Sequence, residues 1–337
     1  MPRWPNAILE GIFFVFPSEE AAKRGDALGG CGFFVSLPWE SDPESRHAYA
    51  VTCKHVIRSE TALYSIRAHK IGSTEPSFIE CPRKSWAMSE TDDLAALLIS
   101  EGHGYLAEPF HRMKMTDRIL VDYSLGIGNE VISPGRFIDL PGHMTNRPLV
   151  RSGTIAAPLE PFPIKPKGGP AQDSYVAEMR SRCGFSGSPV FVFIDSDFTR
   201  LVMPSDAEVY SEAIDKPLIK RFLFHGPWLL GVHCGEINVQ GPELNPNLNK
   251  LADDQLKIEL GSGMIAIVPC SRLEKLLMEN EKLKNERNRI EEECKPQATL
   301  QSSDADESGS EQAVIPSHKA AFTRLLNVAA RKREPEH

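Results

Sequence analysis

Short apolar runs recur along this chain, each bounded by turn-forming residues, and they limit the folds open to it. They read "GIFFVF", "CGFFVSL", "AYAVTC", "ALYSIRA", "LAALLI", "RILV", "NEVISPG", "PLVRSGTIA", "SYVAEM", "PVFVFI", "RLVMP", "WLLGVHC" and "GMIAIVP". Most have the strand length of about 4–8 residues and are rich in Val, Ile, Phe and Tyr. Few helical patterns lie between them, so an all-β barrel or sandwich is predicted in place of alternating βα units. Their number suits two small barrels better than one. The 26 prolines and 24 glycines supply the turns such a chain needs. No internal repeat is visible.

The 337 residues suffice for two modest domains, or for one larger domain with a tail. A net charge of −8 excludes general nucleic-acid binding, which needs a basic face. Cys31, Cys53, Cys81, Cys183, Cys234, Cys270 and Cys294 are irregularly spaced, with no CxxC. They form no disulfide framework, and no ligand spacing supports a zinc site. The start, "MPRWPNAILEGIFFVFPSEE", shows no secretory signal. No run approaches the roughly 18 apolar residues that span a bilayer. A reducing, cytoplasmic setting with no membrane partner is expected.

The pattern changes after Pro269. "SRLEKLLMENEKLKNERNRIEEEC" reads as one charged helix, with Leu276, Leu283 and Ile290 spaced by seven. The matching positions Asn280 and Arg287 are polar. Two readings stay open: a short dimerising seam, or a terminal helix packed on a barrel. "QSSDADESGSEQ" has the composition of a disordered linker. In "PSHKAAFTRLLNVAARKR", Ser317 can cap a last helix, and Phe322, Leu325, Leu326 and Ala329 share one face. Arg331, Lys332 and Arg333 favour its C-terminus. This helix either recruits a regulatory protein or folds back. Residues 1–280 are thus expected to form the main domain, with barrels near 8–115 and 116–270. Residues 281–337 follow as charged helix, linker and short amphipathic helix.

The stretch "RCGFSGSPVF" raises the question of chemistry. It is either a turn entering a strand or a nucleophile held on a turn. A nucleophilic serine needs a base beside it and donors for the oxyanion. Ser186 is the candidate nucleophile, and the Gly184 and Ser186 amides are the candidate donors. The α/β-hydrolase elbow G-x-S-x-G does not fit, because Gly187 follows the serine directly. Upstream, "YAVTCKHVI" ends an apolar strand at His55. In "SETDDLAALLIS", Asp93 heads another, where a carboxylate is costly to bury unless paired. Each residue alone has a structural reading. The order His55, Asp93, Ser186 is one that convergent triads show.

Together with "GGCGFFV", "GNEVISPGRF", "VRSGTIA", "GFSGSPVF", "LLGVHCGE" and "SGMIAIVP", these blocks resemble the trypsin/chymotrypsin-like serine peptidase family over roughly residues 8–278. The likeness is greater to its bacterial branches than to the digestive enzymes. It implies a double barrel of two six-stranded-type β-barrels with a C-terminal helix and a flexible tail. It implies His55 as general base, Asp93 as the acid orienting the imidazole (Asp92 as fallback) and Ser186 as nucleophile. Gly184 and Ser186 match the oxyanion-hole amides. Such a site cuts peptide bonds through an acyl-enzyme and needs no cofactor and no metal. Phe185 stands where the digestive enzymes carry an acid that pairs with a newly cut N-terminus. No such activation switch is expected. Glutamyl endopeptidases resemble "WLLGVHCGE" around His233, and they carry a hydroxyl where Ser181 stands, beside Arg180. Arg180, Ser181 and His233 are therefore the candidate substrate-binding residues for cleavage after Glu or Asp. The alternative reading is a catalytically silent fold that binds protein.

Overall fold

The computed structural model describes residues 6–294 apart from 27–28, 43–44, 59, 74, 100–104, 106–107, 110–124, 139–145, 167–169, 181–183, 195–198, 203–217, 222–225 and 238–261. The expected strand "RILV", the expected linker and the last amphipathic helix lie outside these residues. The strands of the first sheet are β1 (Ile12–Phe16), β2 (Gly30–Pro38), β3 (Arg46–Thr52), β4 (Leu63–His69), β5 (Pro76–Pro82), β6 (Ala87–Met88), β7 (Ala95–Ile99) and β8 (Glu108–Pro109). The second sheet begins with β9 (Glu130–Gly135), β10 (Leu149–Ile155), β11 (Phe162–Ile164), β12 (Gln172–Glu178) and β13 (Pro189–Ile194). After it β14 (Thr199–Val202) and β15 (Leu218–Arg221) pair with each other, and β16 (Gly226–Glu236) and β17 (Met264–Pro269) rejoin the second sheet.

The fold is all-β, built on two main sheets, one curled and open and one closed into a ring. The first sheet runs β5-β4-β1-β2-β3-β7-β6, with β8 added parallel to β2. It curls without a closing pair among the described residues. The second runs β10-β9-β13-β16-β17-β12-β11, and β10 also pairs with β12, so six strands close on themselves. All its pairings are antiparallel, as short hairpin-linked strands allow. Every residue of β1 is buried, as are all of β2 but its last. These strands are apolar on both faces because both are covered. Phe13, Phe14, Phe16, Phe33 and Phe34 fill the first core.

The helices were less legible. Ser18 caps an unexpected short helix α1 (Glu19–Arg24), its hydroxyl accepting from Ala21 N at 3.1 Å. The single helix expected after Pro269 is two: α2 (Cys270–Glu279) and α3 (Glu281–Glu293). Asn280 is extended at ψ 118° and its side chain accepts from Leu283 N, so it ends one helix and caps the next.

The seven-residue spacing serves the chain's own core. Leu276 and Leu283 are buried there, while Ile290 is half-buried. Polar Arg287, at the intervening position, is buried too and donates to Tyr49 Oη on β3 at 3.2 Å and to Leu277 O at 2.5 Å. Glu291 accepts from the amides of Glu40 and Ser41, from Ser41 Oγ and from His47 Nε2 at 2.8–3.2 Å. Burial pushes this carboxyl up, but the His47 and Ser41 hydrogen bonds outweigh it and hold it at about 2. Burial pushes His47 down against the Glu291 hydrogen bond, and its Nε2 lies 2.9 Å from Glu291 Oε1. α3 thus braces β3, the strand that leads to His55.

Candidate active site

Register brings the first two residues together. Thr52 of β3 pairs with Ala95 of β7. The strands are antiparallel, so the residues after Thr52 meet those before Ala95. His55 sits in the single 3-10 turn Lys54–Val56 that follows β3. Its Nδ1 lies 2.6 Å from Asp93 Oδ2, and its backbone N–H donates to Asp93 Oδ1 at 2.9 Å. Both oxygens of a carboxylate with no exposed surface are therefore spent on one histidine. The His55 ring keeps about a quarter of its side chain exposed, 24%. Asp93 N in turn donates to Gln172 Oε1 on β12 at 2.5 Å, which ties the acid to the second barrel. Asp92 faces elsewhere: it accepts from Thr91 Oγ1 at 2.7 Å and lies 4.0 Å from Arg272.

Ser186 lies on the turn 184–188, which enters β13. Gly184 and Gly187 hold it with φ of +100° and +90°, a region that side chains rarely adopt. A Cβ on Gly187 would also lie 2.1 Å from Cys31 O. Four backbone hydrogen bonds pin the turn. Ser188 N donates to Phe185 O, Gly187 N to His233 O, His233 N to Ser188 O, and Cys31 N to Ser186 O, at 2.9–3.1 Å. The last bond crosses from the second barrel to β2 of the first. Gly30, the residue before it, is the meeting point: a Cβ there would lie 2.7 Å from Val56, the neighbour of His55, and 3.0 Å from Ser186 O. The histidine turn and the serine turn thus close on the same glycine. Among the described residues, neither Gly184 N nor Ser186 N donates to a backbone carbonyl.

Buried thiols line the back of this junction. Cys31 Sγ is 2.8 Å from Ser188 Oγ, and burial pushes its thiol up to about 11. Cys53 Sγ donates to His233 O at 3.3 Å, and burial raises it well above the usual range. Cys53, His55 and Asp93 offer ligand atoms within 4.8 Å of one another. As a metal set they fit poorly, since Cys53 Sγ is spent on His233 O and the other two bond each other.

Of the substrate-binding candidates, Arg180 is exposed two residues beyond β12, Ser181 lies outside the described residues, and His233 is only 1% exposed. Burial first, then the charge of His55, push His233 down to about 3, so it is a neutral imidazole. Phe185 is buried: its ring centre is 6.4 Å from that of His233 and 5.5 Å from the Arg151 guanidinium. Gln172 escaped the sequence reading, because its role depends on a bond to a residue 79 positions away.

No family model matches the chain, and no curated protein matches it. Among solved structures, it is similar to the MamO protease domain of Magnetospirillum magneticum in its apo form. The identity is 15%, over 80% of this chain and 97% of that one, at a TM-score of 0.42. It is also similar to the Rv3671c protease of M. tuberculosis in its active form, at 15% identity over 80% of this chain and 81% of that one, TM-score 0.39. No helix among the described residues is long and apolar enough to cross a membrane.

Proposed function

We propose that this chain is a serine endopeptidase. The observation that carries the reading is the doubly bonded His55–Asp93 pair, set beside the pinned turn of Ser186. Ser186 Oγ attacks the carbonyl carbon of a peptide bond while His55 Nε2 takes the hydroxyl proton. Asp93 holds Nδ1–H and so leaves on Nε2 the lone pair that the base needs. The Gly184 and Ser186 amides receive the oxyanion. His55 then gives its proton to the leaving amine, and the acyl-enzyme forms. Water, deprotonated by His55, cleaves the ester and restores Ser186. No step calls for a metal or cofactor. A reducing, cytoplasmic compartment suits the six described cysteines, all free.

A fluorophosphonate reports an activated serine directly. The full chain is expected to take up one label, and Ser186→Ala none. A folded wild-type chain that stays unlabelled would instead support a silent, protein-binding fold.

Preference for Glu or Asp before the cut bond is the finer part of the proposal. Its charge comes from Arg180, with neutral His233 at most a hydrogen-bond donor. A panel of fluorogenic peptides differing only at that residue should favour Glu over Leu or Lys by at least about tenfold, the worth of one charge-assisted bond. A preference for the apolar or basic peptide sinks this part and leaves the peptidase reading standing.

A further inference from the structure

The first core contains two cations. Arg67, on β4, and Arg136, just after β9, are 0% and 1% exposed. Both stack on the same rings. The Arg136 guanidinium carbon lies 4.3 Å from the centre of Phe16 and 5.7 Å from that of Phe14, and the Arg67 carbon lies 4.9 and 5.7 Å from them. Arg67 donates to Ala22 O at 2.7 Å and to Asn146 Oδ1, between β9 and β10, at 2.8 Å. Arg136 crosses the other way. Its backbone belongs to the second barrel, yet Nη2 donates to Asp26 O in the first. A Cβ on Gly29 would lie 3.2 Å from its Nη1. Residues 26–29 lead into Gly30 and Cys31, where Ser186 O is received.

The other end of Arg136 lies under the nucleophile turn. A Cβ on Gly184 would sit 2.7 Å from Arg136 O and 2.8 Å from Ile138 Cγ1. A Cβ on Gly135 would meet Ser188 Oγ at 2.2 Å and Phe185 Cδ1 at 2.7 Å. Residues 135–138 are therefore the floor on which Gly184, Phe185 and Ser188 rest. Phe185 has no charge with which to anchor the turn by an ion pair. Burying a guanidinium is costly, and this site returns the cost as stacking and a carbonyl bond, which a planar, forked cation can make together. Burial lowers its pKa only to about 10, so it stays charged at neutral pH.

We propose that Arg136 is a positioning residue that holds the oxyanion turn, clamping its floor to the first barrel through Phe16 and Asp26 O. The inference rests on the peptidase reading above. It predicts that loss of the guanidinium misplaces the amides that receive the oxyanion while leaving substrate binding largely intact.

The test uses the full chain, a peptide it cleaves, and a peptide boronate of the same sequence, whose adduct with Ser186 places an oxygen where the oxyanion forms. In Arg136→Met, kcat is expected to fall about 100-fold, the effect of losing one oxyanion donor. KM should stay within about threefold, and boronate affinity should fall in parallel with kcat. Arg136→Lys keeps the charge without the planar fork and should recover part of the loss. A folded Arg136→Met with wild-type kcat and boronate affinity overturns the inference, as does a loss confined to KM. Should Arg136→Met fail to fold by circular dichroism, Phe16→Leu removes the stacking face and leaves the charge. A smaller fall in kcat with boronate affinity then supports the clamp, and unchanged values overturn it. A wild-type chain that neither labels nor cuts overturns this inference together with the peptidase reading. A labelled, active wild type beside an unaffected Arg136→Met overturns this inference alone.

Discussion

Asp93→Asn is expected to lower kcat on a cleavable peptide by about 10⁴-fold, and Ser186→Ala by about 10⁶-fold, with the fold intact. The serine result follows from the loss of the attacking atom. The asparagine result follows from geometry particular to this site. Asp93 accepts two hydrogen bonds from one residue, His55 N at 2.9 Å and His55 Nδ1 at 2.6 Å. An asparagine has one oxygen to offer. The backbone N–H of His55 can only donate, so it claims that oxygen and leaves the amide NH₂ facing Nδ1. Nδ1 must then accept, which moves the ring proton to Nε2 and removes the lone pair that should take the Ser186 proton. Steady-state kinetics on both variants, with circular dichroism to check folding, decide the matter. A folded Asp93→Asn within about tenfold of wild type would remove Asp93 from the mechanism.

The second large effect concerns stability. His233 is buried and its folded pKa lies near 3, far below the ordinary value of 6.5. Between those values the unfolded chain binds a proton that the folded chain does not. Stability therefore rises with pH across the window from about 3 to 6.5 and is flat above it as far as this group is concerned. The slope is about 1.4 kcal/mol per pH unit, and the whole window is worth on the order of 5 kcal/mol. His47, also lowered by burial, adds a contribution of the same sign. Urea unfolding of wild type and His233→Gln at a series of pH values separates the two. The variant should lose about one proton from the slope. Equal slopes would mean that His233 is not held neutral in the folded chain.

How much of this was legible in the sequence depends on the distance over which each signal acts. β2, β3, β7, β13, β16 and β17 were visible because continuous Val, Ile, Phe and Leu runs are what doubly covered strands require. β5 and β11 were missed: their residues are mostly half-buried or exposed, so their composition carries little apolar signal. The break at Asn280 was hidden in a run that reads as one helix, since a cap is decided by one side chain. The site divides in the same way. The histidine after β3, the acid before β7 and the glycine-flanked serine before β13 are local patterns. Gln172 behind Asp93, Arg136 beneath Gly184 and Glu291 on His47 are not, because each is defined by partners 79, 48 and 244 positions away.

The sequence by itself determined the β-rich class and the residue types at three strand ends, since these depend on periodicity and on short-range turn chemistry. Only the tertiary structure decided that the β3–β7 register spends both Asp93 oxygens on His55 and turns Asp92 away. It alone put the histidine and serine turns on the same Gly30, assigned the heptad leucines to the chain's own core, and buried an arginine between the barrels. The reason is physical: hydrogen-bond partners and buried charge are settled by which long-range surfaces close over them, and no window of sequence contains both sides of such a contact.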